Sequence, residues 1–161
     1  GEYIKAMTPE KFTEVAMPYY KKVFGDKEMP YEKFAAILQK RTTQLTQIPE
    51  MLDFFAESPS YTKELFVNKK SKTNLENAPA LLKEAYDRLK AMPEWNETSI
   101  HDCLINMAVE KELKNGTVMW PVRIAAAGKT VTPGGAVEIL DILGREESLR
   151  RLEIGLEKLG A

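Results

Sequence analysis

The residues best suited by type to do chemistry in this chain are one histidine, one cysteine and two tryptophans. His101 has no serine or cysteine nucleophile beside it, and one imidazole does not make a metal site, so it reads as an ordinary helix residue. Cys103 has no partner thiol for a disulfide, for redox exchange or for a multi-cysteine zinc site. Carboxylates are numerous, but none are spaced as an isolated acid/base pair, and Glu146 with Arg150 at i, i+4 is helix-surface support. No Gly-rich phosphate loop is present. No catalytic constellation can be assembled, and neither a metal nor a cofactor site is expected. The remaining candidates suit binding. Trp120 reads either as core or as a platform on which an unpaired base could stack, whereas Trp95 reads as core. Lys69 and Lys70, in Asn68-Lys69-Lys70-Ser71-Lys72, read as a solvated loop or as a phosphate contact.

The elements that must position these residues are helical. With 161 residues, 43% of them hydrophobic, the chain can bury a core as one ordinary domain or two small subdomains. No apolar run approaches the roughly 20 residues of a membrane helix, so no membrane partner is expected. Gly1-Glu2-Tyr3-Ile4-Lys5 has no apolar block behind a basic start, so no secretory signal is expected either. A lone cysteine suits a reducing, cytoplasmic setting. The formal net charge of −1 offers no excess of Lys and Arg for a phosphate backbone, so any RNA contact must come from local basic groups. Composition by itself points to a protein-interaction module.

Thr8-Pro9 reads as an N-cap and first helical position, with Pro18 breaking or bending the helix after about Ala16 and a turn at Gly25-Asp26. Phe34, Ile37, Leu38 and Leu45 recur at helical spacing from Tyr31, and Met51, Leu52, Phe54 and Phe55 continue the pattern beyond an interruption at Pro49. Regularity fades from Ser58 to Asn74, which marks the boundary between two helical bundles, residues 1–72 and 73–161. Asn77 is placed to cap a helix striped by Leu81, Leu82, Ala85, Tyr86 and Leu89, which ends at Met92-Pro93. A further helix from about Thr98 should stop at Lys114-Asn115-Gly116. Pro121 argues against a strand at Val118–Val122, which reads as a turn into a short helix, Val122–Ala127, closed by Gly128. Thr132-Pro133 should start a helix to Leu143, and Leu149, Leu152, Leu156 and Leu159 stripe a last one after Gly144. The class is all-α.

One stretch goes beyond composition. Pro121-Val122-Arg123-Ile124-Ala125-Ala126-Ala127-Gly128 is followed by Thr132-Pro133-Gly134, by Ile139-Leu140-Asp141-Ile142-Leu143-Gly144 and by Arg151-Leu152. This order resembles the C-terminal signature of bacterial-type glutamyl-tRNA synthetases: Pro-x-Arg-x-Ala-x-x-Gly, Thr/Ser-Pro-Gly, then Ile-Leu-x-x-Leu-Gly and Arg-Leu. The likeness runs back through Glu94-Trp95, Phe54-Phe55 and Pro59-x-Tyr61 to Glu2-Tyr3-Ile4-Lys5, with Gly1 as an added residue, and so covers essentially the whole chain. Asn68-Lys69-Lys70-Ser71-Lys72 is not the signature loop of class I synthetases, because it lacks that loop's Met and final Ser.

The resemblance implies two consecutive small helical bundles that bind the anticodon of glutamate tRNA for a glutamate–tRNA ligase. It implies a catalytic domain ahead of this region, where ATP and Mg would bind, so the present chain is expected to be non-catalytic and without a cofactor. The expected partners are glutamate tRNA and that catalytic domain, with no oligomer. By motif position Arg123 matches the arginine presented to one anticodon base, and Thr132, Pro133, Gly134 and Gly135 match the turn beside the middle base. Arg41, eight residues before Pro49, matches the position that inspects the third base, where arginine goes with accepting glutamate tRNA. Lys129, beside that turn, and Trp120, Lys69 and Lys70 are further candidate contacts. The resemblance also implies that Arg41 and Arg123 converge on one docking surface, with the two bundles meeting near Lys69–Thr73.

The chain departs from the family where Gly135 replaces a bulky aliphatic residue and Ala126-Ala127 replace Leu-Thr. Loss of a side chain at Gly135 removes an apolar contact to the middle base and leaves that base to backbone groups. A helical protein-interaction module is the alternative to RNA binding; a free-standing enzyme ranks last.

Overall fold

The computed structural model describes residues 2–161; Gly1, set apart above as an added residue, lies outside them. Among the described residues there are nine α-helices and two short 3-10 turns, and β structure is limited to an isolated bridge between Asn68 and Thr73. The chain is all-α, as its periodicities require. No helix is long and apolar enough to cross a membrane. The helices form two compact units, one running to Glu57 and including Thr132–Gly134, the other comprising Ser58–Val131 and Gly135–Ala161.

The first unit contains α1 (Glu2–Lys5), α2 (Pro9–Phe24), α3 (Tyr31–Leu38), a 3-10 turn at Leu45–Gln47 and α4 (Ile48–Ala56). Thr8 caps α2 by accepting the Lys11 N–H at 3.1 Å. Phe12, Ala16, Tyr20 and Phe24 recur every four residues and are buried along one face of that helix. That face packs on α3 and α4, where Phe34, Leu38, Leu52 and Phe55 are buried as well, with the Phe24 and Phe34 rings stacked 5.4 Å apart. Each such ring contributes on the order of 2 kcal/mol by leaving water. Pro18 does not break α2: proline removes one backbone donor, but the buried face on either side keeps the helix continuous. At Pro49 the opposite holds. The proline occupies the first turn of a new helix, and residues 39–44 leave the helix although the apolar spacing runs on to Leu45.

The second unit contains a 3-10 turn at Lys63–Phe66, then α5 (Ala78–Lys90), α6 (Glu97–Glu110), α7 (Asn115–Ala127), α8 (Ala136–Leu143) and α9 (Arg145–Leu159). Helix α7 buries Thr117, Val118, Pro121, Val122 and Ile124–Ala127, so it is the central element of this bundle. Gly155 of α9 lets two helices close on it: a Cβ there would lie 3.0 Å from Ala125 and 3.1 Å from Leu82. Asn77 precedes α5 but spends its side chain on Asn74 N–H and the Lys72 carbonyl.

Three expectations change here. Lys114-Asn115-Gly116 opens α7 instead of closing α6, and the left-handed residue after α6 is Glu112. Helix α7 then runs through Pro121 without the expected turn. The units divide at Glu57/Ser58 rather than between residues 72 and 73. The reason is that Ser58–Lys72 packs into the second bundle: Phe66 is fully buried, Leu65 and Ser71 accept hydrogen bonds from Trp120 and Thr117, and Lys158 donates to the Tyr61 carbonyl at 2.9 Å.

Candidate functional site

Arg123 sits one turn from the end of α7 and is half-buried. Its guanidinium lies 4.9 Å from the centroid of the Trp120 ring, three residues earlier on the same helix. Trp120 is held in turn by its indole N–H, which donates to the Leu65 carbonyl at 3.0 Å. Trp120 is thus half-buried, tied to the bundle by its indole N–H and carrying the Arg123 guanidinium near its ring. On its other side Arg123 donates to the Thr130 carbonyl at 2.8 Å, with a longer contact of 3.4 Å to that of Lys129.

Those carbonyls face Arg123 because the chain reverses at Gly128. Its backbone is left-handed, with φ of 63°, and its N–H closes the helix on the Ile124 carbonyl at 2.7 Å. Burial pushes the Arg123 pKa below its ordinary value, but a guanidinium so placed remains charged.

Arg123 and Trp120 line a cleft of about 650 Å³ within the second unit. Its walls include Ser71, Thr98, His101, Gly135 and Glu138. The Glu138 carboxylate accepts from the Gly135 N–H at 3.1 Å, which fixes the start of α8. His101, dismissed on sequence grounds, stands exposed on this wall, its Nδ1 3.1 Å from Asp102 Oδ1. Nothing in its local sequence marks it, since α6, α7 and α8 build the cleft together.

With Glu97 and Glu138 in its lining, this is a poor pocket for a phosphate. An aromatic surface, a cation, a hydroxyl and carboxylate acceptors suit the flat face and polar edge of an unpaired base.

The other candidates distribute as follows. Lys69 and Lys70 are exposed on the loop closed by the Asn68–Thr73 bridge, and Thr117 Oγ1 holds the adjoining Ser71 by its carbonyl at 2.6 Å. Lys129 is half-buried. Thr132 and Pro133 are buried, and Thr132 Oγ1 donates to the Gly134 carbonyl at 2.9 Å, so solvent reaches this turn at Gly134 and Gly135. Thr132–Gly134 belong to the same compact unit as Arg41, while Gly135 belongs with Arg123.

Arg41 is exposed on the turn after α3 and not on a helix. Its neighbour Thr42 is buried and anchors that turn by donating to the Leu38 carbonyl at 2.8 Å. Among the described residues the Arg41 guanidinium has no hydrogen bond or ion pair. Trp95 is half-buried, its indole N–H on the Leu140 carbonyl at 3.0 Å.

Residues 11–156 match the family described as "Anticodon binding domain", and the chain belongs to that family. It is 46% identical over 159 residues to the glutamate–tRNA ligase of Clostridium kluyveri and 47% identical over 159 residues to that of Clostridium tetani. Each match covers 99% of this chain and 32% of the relative, so the chain spans about a third of the length of these ligases. A crystal structure of a glutamate tRNA ligase from Elizabethkingia meningosepticum, in complex with its amino acid, superposes with a TM-score of 0.77 at 24% identity. That match covers 98% of this chain and 31% of the other. Glutamate-tRNA synthetase from Elizabethkingia anophelis gives 0.73 at 21% identity, covering 97% and 30%. These two likenesses establish a shared fold.

Proposed function

We propose that this chain is the anticodon-binding region of a glutamate–tRNA ligase and grips the anticodon of glutamate tRNA. The observation that carries the reading is the Arg123 guanidinium, held over Trp120 at the edge of a cleft roomy enough for an unpaired nucleotide, in a chain of the anticodon-binding family. Anticodon bases are splayed and unpaired, so their edges can be read, and a guanidinium grips such an edge through a rigid fork of donors. A good bidentate pair of this kind contributes ~1–3 kcal/mol of discrimination, on the analogy of DNA bases. Near-neutral overall charge is compatible with such recognition, because selectivity comes from base edges and only part of the affinity from phosphates.

Arg41 inspects the third anticodon base, and the backbone of Thr132–Gly135 faces the middle one. ATP and Mg bind a catalytic domain in the rest of the protein, and the whole acts as a monomer. The family match favours RNA binding over the protein-interaction reading.

The experiment is titration of the chain with the anticodon stem-loop of glutamate tRNA and with loops of altered anticodon. Salt-dependent binding that prefers the glutamate anticodon, with the preference reduced by Arg123→Ala, is the expected result. Equal binding to every loop, unaffected by that substitution, overturns the proposal.

A further inference from the structure

Arg151 of α9 alone among the charged side chains of the described residues is buried, at 2% exposure. A buried cation is tolerated only where its geometry satisfies it. Here Nε donates to Glu147 Oε2 at 2.7 Å, and Nη1 donates to the Ala126 carbonyl at 2.7 Å. Ala126 lies in the last turn of α7, whose carbonyls have no helical donor ahead of them, and a cation is favoured at a helix C-terminus. The same turn is held on its far side by Gly128, seated against Pro59 and Tyr61. The two residues that follow, Lys129 and Thr130, carry the carbonyls that hold Arg123.

We propose that Arg151 is a positioning residue for Arg123. By gripping Ala126 it fixes the end of α7, so that the carbonyls of residues 129 and 130 keep the Arg123 guanidinium over Trp120. Glu147 steers Arg151 from the α9 side and also pairs with Arg150, which is exposed. This inference rests on the RNA-binding role given to Arg123 and goes beyond it, assigning work to a side chain that touches no ligand.

A lysine at 151 keeps the charge but cannot span both acceptors, so Arg151→Lys in the full chain is the informative change. Binding of the glutamate anticodon stem-loop should weaken about tenfold in Arg151→Lys, yet no more than about twofold when Arg123→Ala is already present. Equal losses in both backgrounds, or no loss in a folded Arg151→Lys protein, overturn the proposal. Glu147→Gln, which leaves the cation in place, carries the same cycle if Arg151→Lys does not fold. A readout independent of RNA is the 19F resonance of 5-fluorotryptophan at position 120. It should move in Arg151→Lys toward its position in Arg123→Ala, and an unmoved resonance overturns the coupling. A wild-type chain that binds no stem-loop refutes the functional reading, while the resonance still decides the coupling.

Discussion

Tyr61 and Gly128 meet so closely that residue 128 has no room for a side chain: a Cβ there would lie 2.9 Å from Tyr61 Cδ1 and 2.5 Å from Pro59 Cβ. Gly128 also has a φ of 63°, which costs an L-residue about 1–2 kcal/mol. Gly128→Ala should therefore destabilise the chain by about 2–4 kcal/mol, strain and overpacking together. It should also weaken stem-loop binding, because the carbonyls behind Arg123 move. Urea unfolding checks the first part, and a change below about 0.5 kcal/mol would show that the ring yields.

Gly135 is the contrary case. Its φ is −103°, and a Cβ would find only the Glu138 carboxylate, 3.5 Å away. Gly135→Ala should leave stability within about 0.5 kcal/mol. Gly135→Leu, restoring the family's aliphatic, should tighten RNA binding a few-fold without altering its salt dependence, since an apolar contact releases no counterions. A steeper salt dependence would show that the gain came through phosphates.

Arg41 supports nothing in its own unit, being exposed and free of side-chain partners among the described residues. Arg41→Gln should leave the melting temperature unchanged and reduce discrimination at the third anticodon base by ~1–3 kcal/mol. Titration with stem-loops differing only at that base checks it. Unaltered discrimination would remove Arg41 from the site.

Glu147 provides the pH dependence. Hydrogen bonds from Arg150 and then Arg151 hold its pKa at about 2, below the ordinary 4.5. A depressed carboxylate stabilises the fold above its unfolded pKa, and that contribution fades as pH falls from 4.5 toward 2. The effect is modest, because the carboxylate is a third exposed and screened by solvent. Thermal melts of wild type and Glu147→Gln should differ at about pH 6, draw together below about pH 4.5 and converge only near pH 2. A gap that persists in acid would place the stabilisation elsewhere.

Much of this was legible in the chain because the signals were local. Thr8-Pro9 announces its helix start, and Gly128 announces the end of α7 and the turn around Arg123. Asn115-Gly116 misleads, because those residue types are as acceptable at a helix beginning as at its end, and Glu112 takes the left-handed conformation instead. Arg41 reads as helical because the apolar spacing continues past it to Leu45, whereas α3 stops at Leu38. The cleft wall at His101 and the Arg151–Ala126 bond join residues on different helices, 25 positions apart in the latter case. Only tertiary packing brings them together, and no periodicity reports it.

The Lys158 ammonium donates to the Tyr61 carbonyl across 97 positions of sequence and lies 4.6 Å from the centre of that residue's ring. A ribosome releases Tyr61 and Phe66 long before it has made α9, whereas Tyr20 and its ring partners Tyr31 and Phe34 emerge within one short span. The bundle that carries Arg123 therefore stays unfinished until translation is nearly through this region. During that interval its aromatic entry segment is exposed to chaperones or to neighbouring nascent chains.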